Sequence, residues 1–148
     1  MKKTTDYGPL NELNLKLVIG FSRTALGLHR NTQRLVAGYG LTLPQFGVLE
    51  ALYHLGDLKI CEIIDKTLST SGNMTVVIRN LEQEGLVHRL QDPEDKRVYR
   101  IAISEKGAAI IRELFPLHLE ELASGLCRLD TEEKETLIRL MKKLNGVE

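Results

Sequence analysis

The chain has 148 residues, 43% of them hydrophobic, which suits one domain with a real core. Charged residues make up 27%, and 20 Lys plus Arg balance 20 Asp plus Glu, which excludes a disordered chain and a uniformly basic nucleic-acid coat. No apolar segment of signal-peptide type follows Met1-Lys2-Lys3, and no run approaches the roughly 20 apolar residues of a membrane helix, so a cytoplasmic protein without a membrane partner is expected.

Leu10, Leu13, Leu17, Phe21, Leu28 and Leu35 recur at helical spacing and predict a long first helix over about 10–37. Val18, Ile19, Ala25, Leu26 and Val36 widen its stripe, so it needs burial on two sides. Thr42 and Gln45 have capping-box spacing and Pro44 suits a first turn, which opens a second helix that Gly56 ends. Asp57-Leu58-Lys59 reads as a connector to a third helix over about 60–67. After Ser69-Thr70-Ser71, rich in capping residues, a fourth helix spans about 71–84, with Met74, Val77, Ile78 and Leu81 on one face and Gly85 closing it.

A hairpin follows: residues 86–91, the charged turn Asp92-Pro93-Glu94-Asp95-Lys96-Arg97, and residues 98–104. The second strand alternates Val98, Arg100 and Ala102 with Tyr99, Ile101 and Ile103. Ser104 caps a helix over about 105–127 in which Pro116 predicts a kink or break. Asp130 and Glu133 form a second capping box for the last helix, which runs to about Leu144. Closely spaced short helices followed by a hairpin predict a mostly α (α+β) fold, a winged helix-turn-helix over 38–104. Segments 1–37 and 105–148 are then the N-terminal and C-terminal helices of a dimerisation domain.

A helix that reads duplex DNA docks one side on its own domain and offers small hydrogen-bonding side chains to the major groove. Ser71, Asn73, Thr75 and Arg79 fit that side; Arg suits guanine, Asn suits adenine, and Ser and Thr reach phosphates or base edges. Ser69 and Thr70 lie at its N-terminus, where free N–H groups attract phosphate. Lys96 and Arg97 lie at the hairpin tip, where an arginine can enter a narrow minor groove, and Asp95 is spaced to hold its fork. Over residues 71–100 five basic side chains face five acidic ones, so binding by this segment requires the acids to be turned away.

Leu81-Glu82-Gln83-Glu84-Gly85-Leu86-Val87, then Asp92 to Arg97, then Ile103-Ser104-Glu105-Lys106-Gly107, together resemble the MarR family of bacterial transcription regulators. The mark of that family is an acid–x–arginine wing, matched by Asp95-Lys96-Arg97, and the resemblance runs from the first helix to the last. It implies a triangular homodimer that binds palindromic operators in double-stranded DNA, mostly as a repressor, and releases them when a small phenolic, oxidant or other effector acts. By position it assigns base and phosphate contacts to Thr70, Ser71, Asn73, Thr75, Val76 and Arg79, and the minor-groove contact to Arg97 with Asp95 as its support. The alternative expectation is a winged-helix protein–protein module without DNA binding, motivated by the zero net charge.

An effector pocket is expected between the first helix, the second helix and the helix after Ser104, with Phe21, Phe46, Tyr53 and Phe115 as aromatic candidates. Cys61 and Cys127 form no CxxC or CxxxH pattern, which fits a reducing compartment and argues against a disulfide framework or structural zinc. Among His29, His54, His88 and His118, only His118 with Glu121 approaches a ligand spacing, so no metal and no cofactor is expected. No catalytic triad or Gly-rich phosphate loop appears, and no enzyme activity is expected.

Overall fold

The computed structural model describes residues 5–67 and 71–147, the second segment with side chains from Asn73 onward. In chain order it contains α1 (Pro9–Ala37), α2 (Leu43–Leu55), β1 (Leu58–Lys59), α3 (Ile60–Thr67), α4 (Ser71–Gln83), β2 (Val87–Gln91), β3 (Tyr99–Ile103), α5 (Glu105–Gly125) and α6 (Thr131–Leu144).

The helix starts follow from their caps. Thr42 Oγ1 accepts the Gln45 N–H at 3.3 Å, while Gln45 Oε1 accepts the Thr42 N–H at 2.9 Å, so the α2 capping box is closed in both directions. The Asp130–Glu133 pair closes the same way at the start of α6, at 2.9 and 3.0 Å. α5 begins where Ser104 Oγ accepts the Gly107 N–H. Gly85, at φ 72°, turns the chain from α4 into β2, a left-handed conformation that glycine adopts without a Cβ penalty.

α5 runs uninterrupted through Pro116, so the predicted break is absent. Proline removes one N–H from the ladder, but buried Ile111, Leu114 and His118 on both sides of it hold the helix to its neighbours α1 and α2. β1 is a strand where a connector was predicted. It pairs antiparallel with β3 through Leu58↔Ile101 and Lys59↔Arg100. The sheet order is β1-β3-β2, and β3, as the central strand, buries both Ile101 and Ala102, on opposite faces of the predicted alternation.

The core gathers Phe46, Val48, Leu49 and Leu52 of α2, Ile63 of α3, Met74, Val77, Ile78 and Leu81 of α4, and Leu86, Val87 and Ile101 of the hairpin. It also takes in Val36 from the end of α1 and Ile111 and Leu114 from α5, which root the terminal helices in the lobe. Beyond those roots the long helices are bare. Only Thr32 and Val36 of α1 are buried and no residue of α6 is; the N-terminal part of the α1 stripe stays open within the protomer, with Leu10 70% exposed, and so does the apolar side of α6, with Leu144 68% exposed.

Candidate nucleic-acid interface

α4 is pinned by its apolar face. Met74, Ile78 and Leu81 are fully buried and Val77 nearly so, which turns Asn73, Thr75, Val76 and Arg79 outward together. Of the other helix residues predicted to make contacts, Thr70 lies outside the described residues, and Ser71 opens α4 with its side chain outside them. The far end of α4 is clamped to α5. Ser104 Oγ donates to the Gly85 carbonyl at 2.6 Å, Lys106 Nζ donates to the Glu84 carbonyl at 2.8 Å, and the Ser104 N–H donates to the Leu86 carbonyl at 2.9 Å.

The wing presents Arg97 with its side chain 90% exposed. Asp95 holds it as a fork: Oδ1 accepts the Arg97 backbone N–H at 3.0 Å and Nε at 3.1 Å, and Oδ2 accepts Nη2 at 3.3 Å. Those bonds, with the Arg97 side chain contributing most and its backbone N–H next, hold the Asp95 carboxyl below the ordinary carboxylate range. Lys96 is exposed beside it, and its carbonyl accepts Gln91 Nε2. The acids of the segment are largely neutralised or hidden. Glu82 pairs with Arg89 at 2.8 Å, Asp95 with Arg97, and Asp92 is buried, whereas Glu84 and Glu94 face solvent.

Asp92 was not singled out from the sequence. Its Oδ1 accepts the N–H groups of Glu94 and Asp95 at 2.9 and 3.1 Å, and its Oδ2 lies 3.7 Å from Lys59 Nζ and 3.6 Å from Arg100 Nη1. The two backbone bonds, then the two cations, depress its carboxyl below the usual range in spite of burial. An Asp directly before a Pro at a turn start is the sequence signal for this side-chain-closed loop.

Of the four aromatic candidates for an effector pocket, Phe46, Tyr53 and Phe115 are linked by ring contacts through His118 and His54, without lining one common cavity. Phe115 lines an open cavity of about 520 Å³ with Glu50, His54, Lys66 and Thr67, formed by α2, α3 and α5 and not by α1. Phe46 belongs to the buried face of α2 and meets His118 edge-on at 5.1 Å. Tyr53 is exposed and meets His54 edge-on, while Phe21 sits on the open stripe of α1. His118 Nδ1 lies 3.2 Å from Glu121, which also accepts the Thr32 hydroxyl; among the described residues no group of three or more His, Cys, Asp or Glu is placed to hold a metal ion. Cys61 and Cys127 are both exposed thiols. No helix among the described residues is long and apolar enough to cross a membrane.

A polar-faced α4 behind two short helices, with an arginine-tipped hairpin beside it, defines a winged helix-turn-helix protein. The MarR family profile matches residues 41–99. The HTH-type transcriptional regulator MhqR of Bacillus subtilis (strain 168) is 36% identical over 135 residues, covering 91% of this chain and 93% of that protein. The chain belongs to the MarR family. Among solved structures, a mutant MarR from E. coli complexed with operator DNA superposes with a TM-score of 0.82 at 24% identity, over 95% of this chain and 99% of that one. Bordetella bronchiseptica BpsR, solved to explain regulation of its DNA binding by 6-hydroxynicotinic acid, superposes with a TM-score of 0.78 at 22% identity, over 88% and 98%. Both superpositions establish the shared fold.

Proposed function

We infer that the protein, a DNA-binding transcriptional regulator of the MarR family, works as a homodimer that grips a palindromic operator with two copies of α4 and two wings, and that it represses. The observation that carries this reading is the common exposure of Asn73, Thr75, Val76 and Arg79 on α4 together with the Asp95-held fork of Arg97. Asn73 and Arg79 are the base readers, Thr75 and Val76 fill the groove, Thr70 and Ser71 meet phosphate, and Arg97 with Lys96 enters the flanking minor groove. The bare stripes of α1 and α6 supply the dimer contact, so two half-sites lie about one helical turn, roughly 34–36 Å, apart. A DNA-bound role implies a cytoplasmic location, and we assign the protein no catalytic step.

The protein–protein alternative loses its support, since MhqR is named a transcriptional regulator and MarR was solved on operator DNA. Release by a small effector is supported by the cavity beside Phe115, where the His54 and Phe115 rings meet tilted at 55° with centroids 4.5 Å apart and Lys66 can meet an anionic group. Selection of bound sequences from a random duplex pool, followed by salt titration, tests the whole reading. A palindrome and a steep fall of affinity with salt are expected; recovery of no preferred sequence would overturn it.

A further inference from the structure

Asp92 is 3% exposed, so it cannot itself touch a nucleic acid. Its bonds nonetheless lead from the body of the lobe to the wing tip. The Asp92 N–H donates to the Val98 carbonyl and the Val98 N–H donates to the Asp95 carbonyl, both at 2.9 Å, which closes the loop on itself. Asp92 Oδ1 then fixes the N–H of Asp95, the residue whose carboxylate carries the Arg97 fork. The other oxygen, Oδ2, reaches Lys59 on β1, the strand that runs directly into α3, and Arg100 on β3. Arg100 in turn donates through Nη2 to the Asp57 carbonyl. Lys59 is tied to α3 as well, because its backbone N–H donates to Glu62 Oε2 at 2.7 Å.

The two carboxylate oxygens thus do different jobs. One shapes the turn that aims Asp95, and the other ties that turn to the strand in front of α3. A buried carboxylate is costly unless it is hydrogen-bonded and paired, and here two N–H groups bond Oδ1 while two cations stand 3.6 and 3.7 Å from Oδ2. The Asp95–Arg97 fork alone fixes the guanidinium only to its own loop. Its distance from α4 depends on how that loop is held to the rest of the lobe.

We propose that Asp92 is the positioning residue of the wing: through Asp95 it sets where Arg97 stands relative to the helix-turn-helix, and it contributes to DNA affinity only by way of Arg97. The proposal rests on the DNA-binding reading above. A buried residue that merely stabilised the lobe would lower affinity whether or not Arg97 were present. A positioning residue loses its influence once Arg97 is gone.

The test is a double-mutant cycle on the full chain. The probe is a labelled duplex selected with the wild-type protein from a random pool, titrated at fixed salt. Arg97→Ala and Asp92→Ala are each expected to weaken binding on the order of tenfold, and Asp92→Ala added to Arg97→Ala is expected to cost less than about twofold more. Asp92→Asn, whose amide oxygen can still accept the Glu94 and Asp95 N–H groups, is expected to fall between wild type and Asp92→Ala. Multiplicative losses in the double variant would overturn the proposal, as would wild-type binding by Asp92→Ala. If Asp92→Ala does not fold, Lys59→Gln replaces it in the same cycle with the same two outcomes. Failure to recover any duplex with the wild-type chain would instead strike the DNA-binding reading itself.

Discussion

The Cα of Gly107, in the first turn of α5, faces the carbonyl of Leu86 so closely that an added Cβ would stand 2.4 Å from its oxygen and 2.9 Å from Ile103 Cγ1. That carbonyl is already committed to the Ser104 N–H, so it cannot swing aside. In an ordinary helix position Gly→Ala gains about 1 kcal/mol. Here the overpacking is expected to dominate, and Gly107→Ala should lose about 1–3 kcal/mol in urea denaturation. A stabilised variant would show that the α5 start is not packed against the turn after α4.

The wing and α4 should fail in different ways. Arg97→Ala is expected to weaken binding to all duplexes alike and to shallow the salt dependence by about one charge. Arg97→Lys should recover only part of this, because an ammonium cannot make the two-pronged contact with Asp95. Asn73→Ala and Arg79→Ala should instead relax base preference, at about 1–3 kcal/mol per lost contact. Binding curves of each variant against the selected duplex and single-base substitutions of it separate the two patterns. Identical specificity profiles for Arg79→Ala and wild type would remove Arg79 from the base-reading set.

What the sequence disclosed and what it hid divide along physical lines. Capping boxes at Thr42 and Asp130 and the cap at Ser104 are local, so they were readable and the helix starts follow them. The Asp95–Arg97 contact spans two residues and was equally readable. β1 was not, since two residues carry no periodicity and Leu58 and Lys59 are strand only because β3 lies beside them. Asp92 was missed because half its partners, Lys59 and Arg100, reach it through that pairing. Phe46 and Phe115 are alike as residue types, and only the packing of α2 against α5 decides that one is core and the other lines a cavity.

The open apolar stripes give the dimer its own test. Leu17 and Leu140 are exposed within the protomer, so an acid at either site leaves the winged lobe's core untouched. Each buried leucine is worth about 1.5–3 kcal/mol, and twofold symmetry counts it twice. Leu17→Glu and Leu140→Glu are therefore expected to weaken the dimer on the order of a hundredfold or more, read by analytical ultracentrifugation across a dilution series. Two variants that sediment like the wild type would rule these faces out as the interface.

The acid limb of stability should depend on the carboxylate under the wing. Asp92 has its carboxyl depressed, chiefly by the N–H groups of Glu94 and Asp95 and then by Lys59 and Arg100. A depressed folded value means that the unfolded chain takes up this proton first as pH falls. The contribution of Asp92 is then complete above the ordinary carboxylate value of about 4 and is lost as pH drops below it, through the lower folded value. Asp92→Asn resembles the protonated acid at every pH. It is expected to be less stable than wild type at pH 7, with the gap in urea midpoint closing as both are taken from about pH 4 downward. A gap that stays constant across this range would mean that the charge of Asp92 does not stabilise the fold, and that the turn is held by its oxygen as a neutral acceptor alone.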